Sequence, residues 1–244
     1  MIILKLGGSV ITDKSKYLLF KREATERMVK IITKLPGKKI IVHGGGSFGH
    51  LKAREYGIPG KLSQSRRKGY SQIHRDMVEL NSHVIDILLR SDVNAVSVEP
   101  SSIFVGSRKF YDSVDQMFSV GLVPVLFGDV YFSSSRMIGI YSGDRIVYDL
   151  SVRYKPNTVI FFTDVDGIYD VDPKTNPQAK LLRTIDYNPN FSTIDNDVTG
   201  GMKGKYDIMR KIKRHVPAVY LVNGNYPERL LERNRDTFIG TVIK

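Results

Sequence analysis

Short apolar runs alternate with segments of helical periodicity along almost the whole chain. The apolar runs predict β-strands, and the periodic segments predict helices. The predicted strands are 2–6, 38–43, 94–98, 122–127, 158–163 and 218–222, and the predicted helices are 22–35, 66–90, 113–120, 144–154 and 202–215. Such alternation is typical of an α/β protein with a mostly parallel central sheet between two layers of helices. We therefore expect an open αβα sandwich.

The longest predicted helix, 66–90, is amphipathic. Apolar residues recur on one face at three- and four-residue steps, namely Tyr70, Ile73, Met77, Leu80, Val84, Ile87 and Leu88. A weaker alternation from Tyr131 to Tyr141 predicts a hairpin. Lys155-Pro156-Asn157 interrupts helical periodicity before the next strand, so a boundary between two lobes is expected near residues 150–157.

Two predicted strands lead directly into glycine-rich turns. The first strand ends in Leu6-Gly7-Gly8-Ser9, and the second is followed by Gly44-Gly45-Gly46-Ser47-Phe48-Gly49-His50. Glycines let backbone N–H groups approach an anion closely, and the start of a following helix adds its dipole. Because Lys5 precedes the first turn, the pair predicts two phosphates that are brought together. That arrangement suits a phosphotransferase.

The second turn does not fit either of the common nucleotide-binding motifs. Residues 44–49 satisfy G-x-G-x-x-G, but no acidic residue is suitably placed about 20 positions further on. The spacing of Gly44 and Gly49 also matches a P-loop, yet His50 and Leu51 stand where that loop has Lys and Ser or Thr. Neither a dinucleotide fold nor a P-loop NTPase is predicted.

Three further turns carry candidate chemistry. Gly200-Gly201 precedes a helix on which Lys203 and Lys205 lie, and the spacing favours Lys205 as the phosphate contact. Ser142-Gly143-Asp144 supplies an acid that is either functional or the helix cap. Thr163-Asp164 opens a strand-end turn, interpreted either as a nucleotide contact or as a plain Asx turn. The acid spacing there does not fit a calcium loop.

Single basic residues and histidines complete the candidates. A lysine inside an apolar strand, as Lys5 is, requires an anionic partner or a side chain that reaches the surface. Lys14 is either a second phosphate contact or an ordinary loop lysine. His50 follows the glycine turn and can donate to a bound anion. A structural role is expected for His74, although it lies on the predicted helix 66–90, which is expected to flank the ligand pocket.

Composition limits the remaining function classes. The chain has 244 residues, 41% of them hydrophobic, and no cysteine, which excludes disulfides and thiolate chemistry. No apolar run approaches the length of a membrane span, and no signal peptide is recognised, so a cytoplasmic protein without membrane partners is expected. The net charge of +12 is dispersed along the chain, which favours anionic small substrates over nucleic acid.

Together, these motifs resemble the amino acid kinase family over essentially the whole chain. The matching segments, in order, are Lys5 to Ser9, His43 to His50, Ser142 to Asp144, Thr163 to Tyr169 and Asp197 to Lys205. The resemblance implies a single domain, 1–244, with an acceptor-binding lobe, 1–154, and a nucleotide-binding lobe, 155–244. The segment Gly46 to His50 resembles the corresponding segment in the branch of the family that phosphorylates isopentenyl phosphate. Fosfomycin kinases share the histidine of this segment.

The resemblance also implies roles for individual residues. Lys5, His50, Asp144 and Lys205 would be catalytic, and Asp144 would orient the lysines. ATP would be held by Lys5, Gly7, Gly8, Ser9, Lys14, Gly46, Asp164, Gly200, Gly201 and Lys205. Gly45, His50 and Gly143 would hold the acceptor phosphate.

The tail of the acceptor would contact Tyr70, Ile73, Val130 and Ile140. The alternative is that all four are ordinary core residues. The implied reaction is ATP-dependent phosphorylation of isopentenyl phosphate to isopentenyl diphosphate in a mevalonate-type route. Mg²⁺ would arrive with ATP rather than at a protein metal site, and a homodimer is expected. The open alternatives are a kinase of another small phosphate, phosphonate or carboxylate, a nucleic-acid-binding protein, and a nucleotide sensor.

Overall fold

The computed structural model describes residues 1–13, 15–105, 108–171, 176–186 and 201–244. Its strands are β1 Ile2–Leu6, β2 Lys39–His43, β3 Gly60–Lys61, β4 Ala95–Ser97, β5 Phe104–Val105, β6 Arg108–Lys109, β7 Val123–Phe127, β8 Asp129–Ser134, β9 Met137–Tyr141, β10 Thr158–Thr163, β11 Thr184–Ile185, β12 Ala218–Asn223 and β13 Thr241–Ile243. Its helices are α1 Gly8–Ile11, α2 Arg22–Thr33, α3 Gly46–Glu55, α4 Gln64–Arg90, α5 Pro100–Ile103, α6 Asp112–Ser119, α7 Gly143–Tyr154 and α8 Gly201–Lys213, with a 3₁₀ helix at Pro227–Glu232.

A mostly parallel sheet forms the centre of the molecule, as the sequence predicts. Its strand order is β11-β13-β12-β10-β1-β2-β7-β4, and β12 and β13 form its one antiparallel pair in the described part of the chain. A parallel sheet covered on both faces is built from nearly continuous apolar strands. All five residues of β1 are buried, including Lys5.

Two apolar layers cover the two faces of the sheet. Alternate residues of β1 belong to different layers: Leu4 packs with α2 and α4, whereas Ile3 packs with α7 and α8. The apolar face of α4 that the sequence predicts is buried, from Ile73 through Leu88. Among the described residues, no helix is long and apolar enough to cross a membrane.

The predicted elements are confirmed, with ends that differ by one or two residues, and the hairpin forms as β8 and β9. Helix α7 ends at Tyr154, and Lys155 caps it in the left-handed conformation with φ 44°. The prediction misses the helices α1, α3 and α5, the 3₁₀ helix, and the strands of two or three residues at β3, β5, β6, β11 and β13. Helix α3 starts at Gly46, so His50 lies in its second turn.

The carboxyl ends of five strands line up along one edge of the sheet. Leu6 is in register with His43 and Phe162, and His43 is in register with Phe127. On the other side, Thr163 pairs with Asn223. Ligands of open α/β sheets bind at this edge, and β1, β2 and β10 run into turns that were singled out from the sequence.

Candidate active site

The two glycine turns contact each other directly. A Cβ atom added to Gly8 would lie 2.4 Å from Gly46 N, and one added to Gly44 would lie 2.9 Å from Gly8 N. Gly46 also has φ +49°, a conformation that side chains other than glycine rarely adopt. Backbone approach this close requires glycine on both sides. The two predicted phosphate sites are therefore neighbours.

One hydroxyl group ties these turns together. Thr12 Oγ1 donates to Gly8 O at 2.7 Å and accepts from Ser47 N at 3.0 Å. A Cβ atom added to Gly46 would lie only 1.9 Å from Thr12 Oγ1. Thr12 is fully buried, so water does not compete for these bonds. Sequence reasoning missed this residue, because a single Thr after a short apolar segment carries no spacing signal.

A third glycine turn joins the first two. A Cβ on Gly143 would lie 3.0 Å from His43 O and 3.5 Å from Lys5 Cε. Four described helices, α1, α3, α7 and α8, begin at a glycine that the sequence marks. At α7 the cap is Ser142, whose side chain accepts from Arg145 N, so the alternative in which Asp144 caps the helix is wrong.

The buried Lys5 and the partly exposed Asp144 form an ion pair beneath these turns. Lys5 Nζ lies 2.7 Å from Asp144 Oδ1, and the side chain of Lys5 is 10% exposed. Burial alone would raise the pKa of Asp144, but the charge of Lys5, its hydrogen bond and the charge of Lys205 together lower it. Asp144 is thus an anion that holds a buried cation at the glycine turns.

Lys205 approaches the same place from α8. Its Nζ donates to Thr163 Oγ1 at 2.9 Å, at the end of β10. Lys203, two residues earlier on α8, is exposed. The geometry therefore favours Lys205 over Lys203 as the inward lysine. Lys14 and Gly200 lie outside the described residues, and of Gly201 only the backbone position at the start of α8 is described.

The turn after β10 is anchored by polar side chains. Asp164 is exposed and accepts from Thr163 Oγ1 at 3.2 Å. Asp166 Oδ1 accepts from Asn223 Nδ2 at 2.7 Å and from Arg229 Nη1 at 2.6 Å. These bonds join the turn to the end of β12. The turn is a fixed surface beside Lys205, with its first acid facing solvent.

The second glycine turn rests on α4. A Cβ on Gly45 would lie 3.0 Å from Met77 Sδ, and one on Gly49 would lie 3.4 Å from the same atom. His50 is exposed, one helical turn beyond Gly46. His43 is fully buried, and burial lowers its pKa to about 4, so that it stays neutral.

The four residues proposed for the tail form a half-open wall. Val130 is 1% exposed and pairs with Ile140, which is 42% exposed. Ile73 is buried on α4, whereas the half-buried ring of Tyr70 stacks on Phe132 with centroids 4.8 Å apart. The wall therefore combines core residues with exposed apolar ones and can meet an apolar ligand.

The chemistry of this edge is that of phosphate binding. Backbone N–H groups of four helix starts and the cations of Lys5 and Lys205 converge on the ends of β1, β2 and β10. Within the described ranges, no three His, Asp or Glu side chains lie close enough to hold a metal ion. The arrangement can align two phosphates and offset their charge.

A parallel αβα sandwich with paired glycine turns at its strand ends is the framework of a small-molecule phosphotransferase. The chain belongs to the amino acid kinase family, whose sequence profile matches residues 1–223.

Among its relatives are isopentenyl phosphate kinases. The chain is 46% identical to isopentenyl phosphate kinase of Thermoplasma acidophilum over the full length of both proteins. The crystal structure of the T. acidophilum enzyme in its product complex superposes with a TM-score of 0.92, at 44% identity and full coverage of both chains. UMP kinase from Ureaplasma parvum, at 15% identity and a TM-score of 0.67, shares the fold, and the match covers 100% of this chain and 97% of that one.

Proposed function

We propose that this protein transfers the γ-phosphoryl group of ATP to isopentenyl phosphate, giving isopentenyl diphosphate for isoprenoid biosynthesis. The observation that carries the proposal is the direct contact between the glycine turns at Gly8 and Gly46. This contact supports two phosphate sites that lie side by side. Full-length similarity to isopentenyl phosphate kinases supports the choice of acceptor.

The two sites divide between two lobes. In the proposed acceptor lobe, 1–154, Gly45, His50 and Gly143 hold the acceptor phosphate, and Tyr70, Ile73, Val130 and Ile140 meet its tail. In the proposed nucleotide lobe, 155–244, Asp164, Gly200, Gly201 and Lys205 hold ATP, together with Lys5, Gly7, Gly8, Ser9, Lys14 and Gly46 from the shared edge. Support comes from Lys5, which is near Gly143, and from Lys205, which reaches Thr163.

The acceptor does not need a general base. The second pKa of a phosphate monoester is about 6, so the attacking oxygen is already ionised near neutral pH. Catalysis then consists of alignment and of charge stabilisation in the transition state. Asp144 keeps Lys5 oriented, because a buried lysine with a fixed carboxylate partner has little freedom to turn away. Lys205 supplies a second cation from the other side.

Magnesium accompanies ATP in this proposal. It would screen the charge of the nucleotide phosphates, and the protein would contribute lysines and backbone N–H groups. A cytoplasmic location, a mevalonate-type pathway and a homodimer complete the proposal.

The test measures ATP consumption with a panel of acceptors: isopentenyl phosphate, longer prenyl phosphates, fosfomycin, UMP and glutamate. Isopentenyl phosphate should give the highest kcat/KM, and its product should be the diphosphate. Lys205→Met should abolish most turnover, whereas Lys203→Met, a matched change on the exposed part of the same helix, should retain it. Nucleic acid should neither compete nor be bound in a salt-dependent manner.

Two results would contradict the proposal. Preference for a carboxylate or nucleotide acceptor would leave the fold assignment intact but would show that isopentenyl phosphate is not the substrate. ATP binding without transfer to any acceptor would instead indicate a nucleotide sensor.

A further inference from the structure

A second ion pair, in which only the carboxylate is fully buried, lies beside the proposed acceptor site. His74 Nδ1 on α4 is 2.6 Å from Asp129 Oδ2, and the side chain of Asp129 is fully buried. The other oxygen, Asp129 Oδ1, accepts from Val130 N at 2.7 Å. Both carboxylate oxygens are therefore satisfied, one of them by a group that can gain or lose a proton. Within the described part of the chain, His74 is the one basic side chain within 4.0 Å of this carboxylate.

The pair is connected to the glycine turn at Gly143 through Gly128, the residue before Asp129. Gly128 N donates to His43 O at 2.9 Å, and a Cβ on Gly128 would lie 3.0 Å from Gly143 N. The turn that carries Asp129 is therefore in backbone contact with Gly143. Movement of Asp129 would be passed to Gly143 with no intervening side chain.

His74, the other member of the pair, lies on α4 near the second glycine turn. His74 lies one helical turn before Met77, whose sulfur underlies Gly45 and Gly49. It also lies one turn after Tyr70, with ring centroids 6.4 Å apart. The ion pair thus bridges α4 and the start of β8. It lies between the second glycine turn and the four residues proposed for the tail.

The charges around His74 are unbalanced. Asp129 faces it from β8, and the exposed Glu99 faces it from the start of α5. Tyr70 from its own helix stays neutral, because burial and the same two carboxylates raise its pKa. The hydrogen bond and charge of Asp129, helped by Glu99, raise the pKa of His74 against the opposing effect of burial. A protonated His74 makes the pair neutral; a neutral His74 leaves a net negative charge.

We propose that His74 and Asp129 are positioning residues for the acceptor phosphate: they fix the turn on which Gly143 rests, and the cation of His74 cancels a carboxylate charge that would repel the acceptor. This inference rests on the proposed function. A group with a raised pKa contributes while it is protonated and loses that contribution as pH rises through its folded-state pKa. The KM for isopentenyl phosphate should therefore rise by about tenfold on the alkaline side, while the KM for ATP stays constant.

The experiment measures both KM values for the full-length protein across pH. On the acidic side, protonation of the acceptor, with its second pKa of about 6, gives a separate change common to all variants. His74→Asn keeps an N–H group near the position of Nδ1 but does not titrate. Asp129→Asn removes the buried charge. Both variants should lose the alkaline rise in the acceptor KM. His83→Asn, which changes another α4 histidine that stacks on Phe20, should keep it.

An alkaline rise that persists in both variants, or that affects the KM for ATP equally, would overturn the inference. Thermal melting of each variant separates folding from positioning, since a purely structural pair would lower Tm and leave the pH profile of the acceptor KM unchanged. If the wild-type protein does not turn over isopentenyl phosphate, the proposed function fails and this inference fails with it. If the wild type is active but its acceptor KM is flat on the alkaline side, the inference alone fails.

Discussion

Replacing Gly8 by alanine should separate the two glycine turns without removing any functional group. The new Cβ would lie 2.4 Å from Gly46 N and 2.8 Å from Gly46 Cα, both of them backbone atoms. Non-bonded carbon contacts are most favourable at roughly 3.5 Å, so the turns must move apart by about 1 Å. No side-chain rotation can relieve this overlap, because neither contact involves a side chain.

The expected effect on catalysis follows from that displacement. Misplacement of reacting groups by about 1 Å costs on the order of 100-fold in rate, which corresponds to about 2.7 kcal/mol in the activation free energy. The loss should fall mainly on kcat with isopentenyl phosphate and ATP, because each turn can still bind its own phosphate. Steady-state kinetics with both substrates varied would measure it.

Gly49→Ala is the matched control in the neighbouring turn. Its Cβ would meet only Met77 Sδ, at 3.4 Å, which is ordinary van der Waals contact. Alanine is also the better helix former within α3, so activity should be largely retained. Wild-type kcat in Gly8→Ala, or an equal loss in both variants, would refute the reasoning that contact between the turns brings the phosphates together.

Substitutions at four other positions address the acceptor site and the core. His50→Ala should lower turnover by roughly 100-fold or more and leave ATP binding nearly intact in calorimetry; retained wild-type turnover would refute its role. Truncating Tyr70 or Ile73 to alanine should let longer prenyl phosphates react, whereas a lower Tm with unchanged acceptor preference would assign these side chains to the core alone. Asp149→Ala removes a 1% exposed carboxylate that pairs with Lys109 at 2.6 Å and with Arg145 and accepts from the buried Tyr141 hydroxyl. Both cations can reach solvent, but the hydroxyl loses its acceptor, so unfolding by denaturant should show a loss of about 1–3 kcal/mol; an unchanged free energy of unfolding would contradict this.

The sequence predicts the elements with strong periodicity and misses those without it. Six strands of the sheet and five helices follow from apolar patterning. Helix α3 is not recognised as an element because Gly46, Ser47 and Gly49 are poor helix formers; contacts with α1 and α4 hold it in place. The short strands β11 and β13 contain too few residues to show alternation, and their pairing depends on the rest of the sheet.

Site residues are predictable where glycine marks a turn and less so where partners are distant in sequence. The turns at Gly8, Gly46 and Gly143 can be found from the chain alone. The resemblance to the family already implies that Asp144 orients the lysines. His74 and Asp129 are far apart in the sequence, and only the fold pairs them. The sequence predicts a structural role for His74, and its position beside Ile73 on the helix that flanks the pocket is the one signal of another role.

The central position of β1 bears on how the chain can be made and divided. Leu4 pairs with Ile41 on one side and with Ile160 on the other. During synthesis, the amino-terminal strand therefore has an unpaired edge until β10 emerges, and such an edge is prone to intermolecular pairing. A fragment that stops at residue 154 would keep that edge exposed. The two proposed lobes are consequently units of binding rather than of folding, and neither should be a stable domain when expressed alone.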